Sequence, residues 1–142
     1  MQLTHLRLGS IIFLASCTLL GFAAIGSAEW SVETPGAATL PEFGGRATLV
    51  IRCSRQEAEP VIYLHQPLEE KHVALSYRFD DNKPQARMAA VSASGKVLQV
   101  WREDDKQYFA RSKRLRVQLR PFVVLDFDLR GIETVAAKLQ CP

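Results

Sequence analysis

Residues His72–Phe79 alternate without a break: Val73, Leu75, Tyr77 and Phe79 are apolar or aromatic, and His72, Ala74, Ser76 and Arg78 lie between them. A side-chain period of two puts one set on each face of an extended strand, so this stretch needs a sheet and a core to cover its apolar face. The same period recurs in a strand predicted over 46–53, with Ala47, Leu49, Ile51 and Cys53 against Thr48, Val50 and Arg52. It recurs again over 114–120, where Leu115, Val117 and Leu119 oppose Arg114, Arg116, Gln118 and Arg120.

The intervening stretches fit the same scheme. Polar residues 54–60 predict a turn, with a return strand at Val61–Leu64 that stops before Gln66-Pro67. Asp80-Asp81-Asn82-Lys83-Pro84 reads as a turn, because Asp and Asn side chains support tight turns and proline ends pairing. Strands at 85–92 and 97–101 then flank the turn Ala93-Ser94-Gly95-Lys96, and the acids-first run 103–110 suits one or two turns of helix. A last strand spans 122–129, apolar enough on both sides to lie centrally; Gly131 turns the chain, and Ile132, Val135, Ala136 and Leu139 recur at helical spacing.

The expected class is therefore mainly β: an antiparallel β-sandwich or partly closed barrel of about eight short strands, with a short C-terminal helix. Residues 46–142 form one β-rich domain. Residues 29–45 are an irregular N-terminal segment, a short strand followed by a loop or an edge ribbon broken by proline and glycine, with Trp30 as an apolar plug.

Residues 1–28 read as a secretory signal peptide: one charge, Arg7, precedes an uncharged run that ends in the small residues Gly26-Ser27-Ala28. Two alternatives stand beside cleavage after Ala28. Leu14-Ala15-Ser16-Cys17 resembles a lipobox, which would leave Cys17 lipidated and membrane-anchored, and an apolar run of this length just suffices for an uncleaved anchor. The predicted location is periplasmic or exported.

Cysteine usage agrees with export. Once Cys17 is removed or lipidated, Cys53 and Cys141 remain as an even pair in an oxidising compartment, and a bond between them would tie the C-terminal helix to an early strand. Two separate buried thiols are the alternative. Without residues 1–28 the chain has 17 Lys and Arg against 15 Asp and Glu, so the basic pI of 8.9 reflects a small imbalance and no nucleic-acid-binding surface is indicated.

Few residues carry chemistry. His65 and His72, the histidines outside the leader, sit near hairpin ends, which leaves a small hydrolase as a remote alternative. Asp80, Asp81 and Asn82 lack the spacing of a calcium loop and read as a solvated turn. Asp104 and Asp105 suit a helix start, and Asp126 and Asp128 share one strand face from which they can pair with arginines across the sheet. The candidate partner-binding surface is the basic row Lys113, Arg114, Arg116 and Arg120, which projects together and suits an acidic protein or anionic lipid headgroups. Its bland counterpart is a solvent face that guards an edge strand. No cofactor and no metal site is indicated.

In order, Thr48-Leu49-Val50-Ile51-Arg52-Cys53, Val61-Ile62-Tyr63-Leu64, Leu75 to Asp81, Arg114-Leu115-Arg116-Val117 and Phe127-Asp128-Leu129-Arg130-Gly131-Ile132 through Cys141 resemble the VasI (TagO-like) proteins associated with bacterial type VI secretion. The resemblance implies a non-enzymatic accessory that engages an envelope or secretion-system protein. An unrelated periplasmic inhibitor or ligand-binding module is the alternative.

Overall fold

A computed structural model describes residues 29–34, 36–55, 57–139 and 141; the expected signal peptide, Cys17 included, lies outside them. Nine strands are formed: β1 (Ser31–Thr34), β2 (Ala37–Pro41), β3 (Ala47–Ser54), β4 (Glu57–Leu64), β5 (His72–Phe79), β6 (Gln85–Val91), β7 (Val97–Gln99), β8 (Arg114–Arg120) and β9 (Val123–Asp128). A 3-10 turn at Glu103–Asp105 leads into helix α1 (Lys106–Arg111), and α2 (Ile132–Leu139) follows β9. All pairings are antiparallel, in the order β1-β2-β3-β4-β7-β6-β5-β8-β9.

The single sheet curls into a half-barrel, so of the two expected forms the partly closed barrel is the one adopted. Its far strands approach each other: the Phe43 N–H, in the turn after β2, donates to the Asp126 carbonyl of β9 at 3.1 Å, and the Arg46 guanidinium donates to the Val124 carbonyl. The concave face holds the core. Leu40, Leu49, Ile62, Tyr77, Leu115, Leu125 and Phe127 are among its fully buried members, each contributing on the order of 1.5–3 kcal/mol by leaving water.

Strands β5 and β8 have the predicted bounds, and all four predicted inward residues of β5 are buried. Elsewhere the structure differs. Residues 29–45, expected to be an irregular segment, instead contribute two strands to the sheet: β2 pairs with β3 along Ala37–Pro41, and β1 pairs with β2. Strand β4 begins at Glu57, not Val61, and runs straight through Pro60. The Leu64 N–H points away from β3, to the Lys96 carbonyl, so by alternation the Pro60 nitrogen also points away from β3. β7 does not reach that far, so the missing N–H breaks no ladder bond.

The two ends of the half-barrel differ. At one end, hairpin loops 42–46, 65–71, 92–96 and 120–123 converge. They are knit by Leu68 N–H to Gly95 O at 2.9 Å, a close approach at which a β-carbon on Gly95 would lie 2.3 Å from the Leu68 carbonyl oxygen. At the other end α1, α2 and the β3–β4 hairpin tip close the core. A disulfide between Cys53 and Cys141 fixes the end of α2 to β3 there.

Candidate functional site

The expected basic row is largely neutralised. Asp126 on β9 lies opposite Arg116 in register and takes the guanidiniums of both Arg114 and Arg116, while Arg120 pairs with Glu70 at 2.9 Å. Burial alone would raise the Asp126 carboxyl, but the two guanidiniums outweigh it and hold the group below its ordinary range. Lys113 is exposed at the edge of this cluster, and its backbone N–H, like that of Arg114, donates to Asp80 Oδ1 at 2.9 Å. The row is thus a cross-strand ion-pair network, with one lysine outside it.

The histidines serve the hairpin end. His65 Nδ1 contacts the Gly45 carbonyl at 2.6 Å and its Nε2 contacts Thr48 Oγ1 at 3.2 Å, which ties β4 to the β2–β3 turn; His72 is exposed at the start of β5. Asp80 occupies the left-handed region, at φ +48°, and closes the β5–β8 junction through its two N–H contacts. Among the described residues no three His, Cys, Asp or Glu side chains converge to hold a metal ion. Asp128 is held low by its hydrogen bonds to Arg130 at the turn before α2.

The feature that sequence reasoning missed is a cleft at the helix-capped end. Strand β4 spans eight residues, yet β7 pairs with it only at Ile62 and Tyr63. From Leu98 onward the chain swings away through Val100 and Trp101, leaving the first half of β4 with a free edge. By the same alternation that places Pro60, the N–H and C=O of Ala58 face this gap.

Two compartments flank the free edge. On the concave side is an apolar groove of about 390 Å³, lined by Ile51, Ala58 and Pro60 from the hairpin, Phe109 and Ala110 from α1, and Ile132 and Ala136 from α2. On the convex side is a polar groove of about 510 Å³, lined by Arg52, Arg55, Glu59, Gln99, Trp101 and Arg102 among others. Glu57, Pro60, Glu103 and Lys106 border both. The Lys106 ammonium bridges Glu57 and Glu103 across the divide; these hydrogen bonds raise the ammonium above its usual value and hold Glu57 below the usual carboxylate range.

Charge accounting in the polar groove leaves an excess. Arg52 is committed to Glu59 at 3.1 Å and Lys106 to two glutamates, whereas Arg55 and Arg102 form no ion pair among the described residues. The indole N–H of Trp101, a residue that also lines this groove, is buried with no acceptor among the described residues, an uncompensated donor. Arg55 sits at the hairpin tip with φ +49°, a conformation that costs a non-glycine residue about 1 kcal/mol or more. Its side chain is among those lining the polar groove. The chain matches no protein-family model, no curated protein and no solved structure.

Proposed function

We propose that this is an exported, non-enzymatic binding module of the cell envelope, an accessory to a secretion apparatus, which takes an extended segment of a partner protein onto the free edge of β4. The observation that carries this reading is the pair of unlike grooves on the two faces of one unpaired strand edge. A strand added to a sheet edge sends successive side chains to opposite faces. A segment alternating apolar and acidic residues would therefore put the first set against Phe109 and Ile132, and the second against Arg55 and Arg102. Backbone pairing to Ala58 would supply sequence-independent affinity, and the two grooves the selectivity. The leader-like start and the cysteine pair support placement in an oxidising compartment outside the cytoplasm.

Capture from envelope fractions tests it with variants that alter the cleft and leave the core intact. Ala58→Pro removes the free N–H from the side of β4 that faces away from β3, and Ala136→Trp fills the apolar groove. Both should lose the partner that the unmodified protein retains, at unchanged thermal stability. Retention of the same partner by both stably folded variants would sink the proposal.

A further inference from the structure

The opposite, hairpin end carries two exposed aromatic side chains that the cleft does not use. Phe122 is 95% exposed at the tip of the β8–β9 hairpin, and Phe43 is 54% exposed in the β2–β3 turn. Phe43 is bonded through its N–H to Asp126, four residues along β9 from Phe122, which puts the two within about 13 Å along the strand direction. Two unpaired cations lie on the neighbouring loops: Lys71 and Lys96 are exposed and without an ion pair among the described residues, whereas Arg46, in the same turn as Phe43, pairs with Glu42 at 3.3 Å, and Arg120, two residues before Phe122, pairs with Glu70. The acids on these loops are Glu69, Glu70, which partners Arg120, and Glu42, which is buried.

From this arrangement we infer a second interaction surface: the hairpin end docks on an anionic lipid bilayer, with Phe122 and Phe43 entering the headgroup–acyl boundary and Lys71 and Lys96 lying against the headgroups. A protruding aromatic at a convex tip fits a soft, deformable layer, whereas a protein partner would need a matching pocket for it. Aromatic anchors combined with basic residues give the two-part signal that interfacial binding requires. The consequence is orientation. With the hairpin end on a membrane, the cleft at the far end faces away from it and stays open to a partner.

Vesicle co-sedimentation of the exported protein tests this, carried out on a Cys17→Ala form so that an acyl anchor cannot contribute. Binding is expected to vesicles containing phosphatidylglycerol and to be much weaker to pure phosphatidylcholine. Phe122→Ser, at a side chain 95% exposed, should lower partitioning roughly tenfold or more, the scale set by burying one Phe side chain. Lys71→Ser and Lys96→Ser should each lower it about fivefold on the anionic vesicles. Ala136→Trp should leave it unchanged, which separates this surface from the cleft. Absence of vesicle binding, equal binding to both lipids, or unaltered binding by Phe122→Ser would each overturn the inference. So would a Phe122-dependent dimer in sedimentation without vesicle binding, which would assign the surface to a second copy of the chain.

Discussion

Tyr77 donates its hydroxyl hydrogen to Asp105 across 2.7 Å, and both side chains are almost wholly buried. The second donor to the same carboxylate oxygen is the Arg102 N–H, also at 2.7 Å, so one acid fixes both the 3-10 turn and its seat on β5. Around this pair pack Phe79, Trp101, Tyr108 and Phe109, with Trp101 and Phe109 edge to face at 4.8 Å. The cluster holds α1 in place, and with it one wall of the cleft.

The pair predicts a stability loss at high pH. Burial, followed by the hydrogen bond to Asp105 and its negative charge, pushes the Tyr77 hydroxyl from 10.0 up to about 12. A group whose value is raised on folding contributes its full stabilisation below the unfolded value and loses it as pH rises through the folded one. Chemical denaturation of the wild type should weaken between about pH 10 and 12, and Tyr77→Phe should remove this component. At neutral pH, Tyr77→Phe should cost about 1–3 kcal/mol by taking a donor from a buried carboxylate.

The disulfide predicts a larger effect. Cys53 and Cys141 are 88 residues apart in sequence, and closing a loop of that length stabilises by about 4–5 kcal/mol on the chain-entropy argument. Replacing both cysteines with serine should lower the urea midpoint by the corresponding amount. Reductant should bring the wild type close to the variant; identical midpoints under all conditions would argue against a stabilising crosslink.

Asp126 predicts a change of surface character with little change of stability. Asp126→Asn removes the shared partner of Arg114 and Arg116, both more than a third exposed, so the cost should stay near or below about 1 kcal/mol. The freed row should bind cation-exchange resin more tightly. In the wild type, the stabilisation from the depressed Asp126 and Asp128 carboxyls is present above their ordinary value of 3.8 and is lost as pH falls below it. Acid titration of stability should show that loss reduced in Asp126→Asn.

Much of this fold was legible in residue order, because His72–Phe79 and Arg114–Arg120 alternate cleanly and each buries a complete apolar face. The cross-strand pairing of Asp126 with arginines was legible for the same reason. The start of β4 was not, since Glu57, Glu59 and Pro60 have the composition of a turn and are tolerated only because β7 stops short of them. The cleft was illegible on different grounds: Ile51, Pro60, Phe109 and Ile132 are far apart in sequence, and their convergence is set by where two strands part. Ala136, expected on the buried stripe of α2, is exposed and lines the groove instead.

Arg55 predicts opposite effects on stability and binding. Arg55→Gly relieves the positive φ and should hold or raise stability by up to about 1 kcal/mol, while removing a cation from the mouth of the polar groove. Thermal melts and partner capture on the same preparation check both halves. A binding loss accompanied by destabilisation would assign Arg55 a structural role only.

The central claim, that a partner segment lies along the free edge of β4, is tested most directly by site-specific photo-crosslinking in living cells. A photoreactive residue at Ala136, inside the apolar groove, should give a discrete adduct with an envelope protein, and one at Met88, exposed on β6 outside the cleft, should not. Mass spectrometry should place the crosslink in a segment alternating apolar and acidic residues. No adduct at Ala136, or the same adduct from both positions, would contradict the account.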